Sequence, residues 1–202
     1  MTTPWINASN RLFHRYYQMK TFLVYRPIFR SIGMKTAIHK PLFISNPQYI
    51  SLGERVLIRE GVRMEMICSD LDIPPELSIG SNTNIEQNVH IVCHRNIIIG
   101  ADVSITANCA ITDVTHPYSD PSNPMKIGDR ISKDNSYVEI GKGSFLGFGT
   151  VVLPNVRIGE YVIVGANSVV TKDIDSFCVA AGSPARILKR YDPVSKLWRG
   201  EI

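Results

Sequence analysis

"VEIGKGSFLGFGTVVLPNVRIGEYVIVGANSVV", residues 138–170, returns to the same chemistry every six positions. Aliphatic side chains stand at Ile140, Leu146, Val152, Ile158, Val164 and Val170. Glycine follows four of them, at Gly141, Gly147, Gly159 and Gly165. Asn155 and Asn167 come three residues after an aliphatic one, and Ser144, Thr150, Val156, Val162 and Ser168 come four after. Upstream the rhythm continues through Ile79, Ile85 and Ile91, then Ile99, Ile105 and Ile111. It reaches back to Leu52, Ile58 and Met64 and more faintly to Ile38 and Ile44. There too the flanking positions repeat: Gly53, Gly80 and Gly100; Asn82, Asn88 and Asn108; Val56, Val62, Thr83, Val89, Val103 and Cys109. Two extra residues separate Ile91 from Ile99, and likewise Ile44 from Leu52.

A period of six does not fit the 3.6-residue turn of an α-helix, and frequent glycine with β-branched residues favours short strands. One strand and one corner per hexad give a flat face no longer than about 20 Å at ~3.3 Å per residue. Three faces close a triangular turn of about 18 residues, in which each aliphatic side chain stacks on its equivalent in the next turn. The small residue fits the narrow space beside it, and Asn or Gly takes the left-handed backbone conformation at corners. The pattern predicts an all-β fold, a parallel β-helix of hexapeptide repeats.

The 202 residues fit one domain with a small appendage, and 44% apolar content supports a real core. A net charge of +4 suits a ligand bearing several phosphates, but no Lys/Arg run is dense enough for nucleic acid. The four cysteines, Cys68, Cys93, Cys109 and Cys178, form no C-x-x-C pair or zinc spacing, and no signal peptide is visible. Free thiols in a reducing cytoplasm fit these observations. No apolar run approaches the roughly 20 residues that cross a bilayer.

The longest break in the hexads begins at "ITDVTHPYSDP", residues 111–121, and residues 117–136 form a Pro-, Ser- and Asp-rich excursion at a corner. Loops of this length without regular structure are usually functional or disordered. Downstream stand "VVTKDI" and "AAGSPARILKR". Together with the hexads, "THP", "VVTKDI" and "AAGSPAR" over about residues 38–190 resemble the hexapeptide-repeat acyltransferase family. The similarity is to its sugar O-acetyltransferase branch: galactoside, maltose and nodulation-factor acetyltransferases and the enzymes acting on capsule, O-antigen and exopolysaccharide.

The resemblance implies a left-handed helix and transfer of acetyl from acetyl-CoA to a saccharide hydroxyl, without a metal or an acyl-enzyme. It makes His116 the general base. A sugar hydroxyl is a poor nucleophile at neutral pH, and a positioned imidazole, with an ordinary pKa near 6.5, takes its proton during attack. Asp113 and Glu86 are candidates to orient the imidazole or the acceptor. Glu86 falls where the galactoside enzymes often carry Asn, and Phe145 where Trp is common. Gly147 and Ala166 match positions along the pantetheine arm. Thr171 and Lys172 match residues near the phosphates, and Arg186 and Lys189 match the basic pair that meets them. Residues 117–136 are expected to help close the acceptor site near a neighbouring subunit of a homotrimer, with cofactor sites between subunits. An N-acetyltransferase of an amino sugar nucleotide is the rival within the fold. A metal-dependent hydratase fits poorly, because His90 and His94 are not a close pair on one strand. Both histidines lie off the aliphatic positions and are expected at the surface.

Three regions follow: residues 1–35 as a helical, aromatic and basic segment, 36–175 as the β-helix, and 176–202 as a cofactor-contacting tail turning back as a short helix. The first region holds Trp5, Phe13, Tyr16, Tyr17 and Phe22 with Arg11, Arg15, Lys20, Arg26 and Arg30. An amphipathic helix is expected from about Ser9 to Val24, ending before Pro27. Packing on its own coil or a neighbouring subunit is its common fate. Peripheral attachment to the inner face of the cytoplasmic membrane is the sharper alternative.

Overall fold

The hexads fold as three parallel sheets wound around one core. The computed structural model describes residues 4–69 and 72–200. The first face stacks Ser31–Ile32, Ile50–Leu52, Glu76–Ile79, Asn96–Ile99, Tyr137–Ile140 and Val156–Ile158. The second stacks Ala37–Ile38, Leu57–Ile58, Asn84–Ile85, Ser104–Ile105, Phe145–Leu146, Ile163–Val164 and Cys178–Gly182. The third stacks Phe43–Ile44, Arg63–Met66, His90–Cys93, Ala110–Thr112, Val151–Val152 and Val169–Val170. The register puts equal hexad positions side by side. Ile85, Ile105, Leu146 and Val164 pair in sequence on the second face, as do Met64, Ile91, Ile111 and Val152 on the third. These eight side chains are all buried.

The three constrained hexad positions have separate physical causes. Asn82, Asn88, Asn108, Asn155 and Asn167 all adopt a left-handed conformation, with φ between 55° and 61°. The glycines after the aliphatic residues serve close approach instead. A Cβ on Gly80 would sit 2.4 Å from the amide nitrogen of Ala101 in the next coil, and one on Gly147 2.6 Å from that of Ala166. Polar small residues in the core are satisfied by those same corners: Thr83 Oγ1 donates to the Gly100 carbonyl at 2.9 Å and Ser144 Oγ to that of Gly159 at 2.9 Å.

Both ends differ somewhat from the sequence-based expectation. An α-helix runs from Pro4 to Lys20, continues as one wide turn through Thr21–Tyr25, and is broken before Pro27. Winding begins at Ser31, which pairs with Ser51, earlier than residue 36. The tail expected to be a short helix is β-structure. Cys178–Gly182 pairs with Ala185–Asp192, which pairs with Leu197–Gly200, both antiparallel. The second face ends in an open strand edge, and this meander satisfies its N–H and C=O groups where a helix would leave them unpaired.

Among the described residues, the long interruptions fall at one corner, between the third face and the first. Residues 45–49, 67–69, 72–75 and 113–136 leave the winding there, and the two residues inserted after Ile91 fall at the same corner. An excursion at that corner leaves the stacked core intact, and successive excursions lie beside one another. They build a recess on one edge of an otherwise smooth prism.

Candidate active site

His116 emerges at this corner, four residues after Thr112, the last residue of its strand on the third face. Its Nδ1 lies 2.9 Å from the carbonyl oxygen of Arg130. A carbonyl oxygen only accepts, so Nδ1 carries the hydrogen and Nε2 presents a lone pair. The residue as a whole is exposed. The ring is thus oriented by a main-chain group of the 117–136 excursion.

That excursion has its own internal frame, which the sequence reading missed. The Arg130 guanidinium donates from Nε to the Met125 carbonyl at 2.8 Å, from one terminal nitrogen to that of Asp120 at 3.0 Å, and from the other to that of Asn123 at 2.7 Å. Arg130 is buried by the loop it organises. The Ser132 amide closes the turn by donating to the Thr115 carbonyl at 2.9 Å. The available signal was an arginine inside a run of turn-forming residues, where its fork matches several carbonyls at once. Beside this loop lies a cleft of about 680 Å³, lined by Ser69, Pro117, Asp120, Asp129, Arg130 and Lys133 among others. Hydroxyl, carboxylate and cationic groups share this space with the apolar Met125 and Ile131, and His116 lies next to its lining residue Pro117 without itself lining it.

Asp113 is fully buried, and it accepts hydrogen bonds from main-chain amides and the Cys93 thiol of the preceding coil rather than from His116. One carboxylate oxygen accepts the amide of His94 at 2.6 Å, and the other those of Arg95 at 2.7 Å and Asn96 at 2.8 Å. The two residues inserted after Ile91 leave these amides without their ladder partners, and Asp113 supplies the missing acceptors. Cys93 lies beside it, its thiol pushed up chiefly by burial and then by the Asp113 charge. Glu86, at the corner between the second and third faces, pairs with Arg59 at 3.4 Å. His94 corrects the surface expectation. It is buried by that two-residue insertion, and its Nε2 meets Ser69 Oγ at 2.6 Å. Among the described residues, no group of three His, Cys, Asp or Glu side chains is placed to hold a metal ion.

The remaining predicted positions border the third face or the tail beyond it. Gly147 and Ala166 stack on one another where the chain enters that face, and Phe145 stands exposed just before them. Thr171 and Lys172 follow its last strand. Lys172 and Arg186 line one groove of about 390 Å³ with Asp173, Ile174, Ala185 and Ile187. Lys189 lies farther along the same strand, opposite Val179, and does not line that groove. The groove thus sets two cations beside the Asp173 carboxylate, and Gly147 and Ala166 are not among its lining residues.

Similarity to known proteins agrees with this geometry. The family described as "Bacterial transferase hexapeptide (six repeats)" matches residues 137–172. The lipopolysaccharide biosynthesis O-acetyl transferase WbbJ of Escherichia coli (strain K12) is 35% identical over 80% of this chain and 82% of its own. Galactoside O-acetyltransferase of the same organism is 33% identical, covering 61% of each chain. Among solved structures, AntD, an N-acyltransferase from Bacillus cereus bound to dTDP and 3-hydroxybutyryl-CoA, superposes with a TM-score of 0.69. That match is 23% identical and covers 85% of this chain and 88% of AntD. The winding is the left-handed parallel β-helix of these acyltransferases. The chain therefore belongs to the hexapeptide-repeat acyltransferase family and is an acetyltransferase that uses acetyl-CoA.

Proposed function

We propose that the protein transfers acetyl from acetyl-CoA to a saccharide hydroxyl, in a surface polysaccharide (capsule, O-antigen or exopolysaccharide) or its precursor, with His116 as general base. The orientation of the His116 ring carries this reading. With Nδ1–H held by the Arg130 carbonyl, Nε2 takes the proton of an acceptor hydroxyl as its oxygen attacks the thioester carbonyl. The imidazolium then returns that proton to the departing CoA thiolate, and no metal or acyl-enzyme enters. The cleft beside the 117–136 loop suits a polyhydroxylated acceptor, because its lining offers donors and acceptors together with apolar surface. Gly147, Ala166, Thr171, Lys172 and Arg186 would line the path of the donor, with the two cations toward its phosphates. In this reading Asp113 supports the corner rather than the reacting atoms.

WbbJ, the relative with broad coverage, is an O-acetyl transferase by name, which favours oxygen over nitrogen as the acceptor atom. The AntD likeness is one of fold. We further infer a homotrimer working in the cytoplasm, in which Glu86 of one subunit and the 117–136 loop of another come near each other. That assembly would explain why Glu86 and His116 occupy different corners of one chain.

The test is thiol release from acetyl-CoA across oligosaccharides, sugar nucleotides and a 4-amino sugar nucleotide, with His116→Ala beside the wild type. Release with a hydroxyl acceptor, abolished in the variant, is the expected result. Wild-type release by the variant would remove His116 from the reaction, and release confined to the amino sugar would move the acceptor to nitrogen.

A further inference from the structure

The N-terminal helix is anchored by one face and bare on the other. Tyr17 stacks on the His39 ring with centroids 4.2 Å apart, and Thr21 Oγ1 accepts the Ile38 amide at 2.7 Å, so this face is fixed to the first coil. Leu12, Tyr16, Met19 and Leu23 recur at i, i+4, i+7 and i+11 on the opposite side, each more than half exposed. Phe13 widens this stripe, and with Leu12, Arg15, Tyr16 and Met19 it lines a shallow groove of about 550 Å³. Phe22, Val24 and Ile28 are also more than half exposed, with the Arg26 guanidinium 4.9 Å from the centre of the Phe22 ring. A stripe this long is costly to leave in water.

Charge identifies what covers it. The first 53 residues contain seven Lys or Arg and no acidic residue, Glu54 being the first. The rest of the chain holds 15 of the 22 cations against all 18 acids and is net negative. Arg11, Arg15 and Arg26 form no ion pair among the described residues. A second copy docking the same face symmetrically would set these cations against their own equivalents. An anionic bilayer surface meets both features, taking the apolar stripe among its acyl chains and the cations at its headgroups.

We propose that this face docks the enzyme onto an anionic membrane surface. No described helix is long and apolar enough to cross a membrane, so the docking is peripheral. The inference stands apart from the acetyl-transfer reading, because vesicle binding is measured without acetyl-CoA.

The experiment floats the full chain with phosphatidylcholine vesicles, with and without phosphatidylglycerol, at low and high salt. One variant joins Arg11→Glu, Arg15→Glu and Arg26→Glu, and another joins Leu12→Ser, Met19→Ser and Leu23→Ser. All six positions are exposed, so folding is spared, and near-ultraviolet circular dichroism verifies it. The expected result is binding that needs phosphatidylglycerol, falls with salt, and drops in both variants. Near a charged surface each cation contributes about five-fold, so losing three lowers binding about a hundred-fold. Equal binding to both vesicle types, or none, would overturn the proposal. So would a fall in solution mass of the apolar variant without vesicle binding by the wild type, which would give the face to a second copy.

Discussion

Arg130→Ala separates the frame of the active-site loop from the core beneath it. The guanidinium makes three hydrogen bonds of 2.7–3.0 Å to carbonyls of Asp120, Asn123 and Met125. Hydrogen bonds to charged groups contribute about 1.5–3 kcal/mol each when fully desolvated. These carbonyls lie on an exposed loop and regain water when the arginine is gone, so a net loss of about 2–3 kcal/mol is expected. The cost falls on the local order of residues 117–133, because no side chain of the stacked aliphatic core is touched. A loss of about 2 kcal/mol lowers the ratio of ordered to open loop about thirty-fold. His116 then loses the carbonyl that sets its ring, and a displacement of ~1 Å at a reacting group costs about a hundred-fold.

The expected result is a ten- to hundred-fold lower kcat (about 1.4–2.8 kcal/mol in barrier), with KM for acetyl-CoA nearly unchanged and melting temperature within a few degrees of wild type. Arg130→Lys should resemble Ala, since an ammonium cannot reach three carbonyls in a planar fork. Steady-state kinetics and a thermal scan on the same preparations measure all of this. Wild-type turnover in Arg130→Ala would refute the argument that the loop's internal frame orients the base.

Asp113→Asn should give the opposite signature. One oxygen cannot replace a carboxylate serving three amides, so stability falls about 3–5 kcal/mol, or roughly 10 °C in melting temperature, while the folded fraction keeps its turnover. Selective loss of turnover at unchanged stability would return Asp113 to the catalytic group. Replacing Lys172 and Arg186 together by Ala should raise KM for acetyl-CoA about ten-fold or more and leave it unchanged for a phosphate-free acetyl-pantetheine donor. An equal change for both donors would remove the groove from phosphate contact. Acidification should loosen the N-terminal helix in two steps. The His14 pKa is lowered by burial and then by His39 and Arg59, so its contribution is full above about 6.5 and declines as pH falls below that. The Glu60 pKa is lowered chiefly by its hydrogen bond with His39, so its contribution is full above about 4.5 and is lost at lower pH. A far-ultraviolet circular dichroism signal of the helix that stayed flat from neutral pH down to pH 3 would contradict both steps.

Legibility in the sequence followed the distance over which each feature is determined. Ile85, Ile105 and Leu146 could be placed on one face because their neighbours in space are their equivalents one winding away, so period alone fixes the contacts. Asn82 and its four equivalents were legible as corner residues because left-handed backbone is a local property. The glycines beside them were legible as corners but not for their cause, since the atoms that exclude a Cβ belong to the next coil. Asp113 illustrates the limit more sharply. An acid three residues before a candidate base invites a dyad, yet the amides it accepts lie 17 to 19 residues earlier. Those amides need an acceptor because two residues were inserted after Ile91, and no pattern marks where the surplus donors will point. The tail failed for a related reason. "SPARILKRYDP" has enough helix formers to read as helical, but the preceding face leaves a row of unpaired groups that only an extended chain can meet. Repetition therefore makes the scaffold readable, and each departure from it has to be read from the coil below. The corner bearing His116 concentrates those departures, so the candidate site sits where periodicity says least.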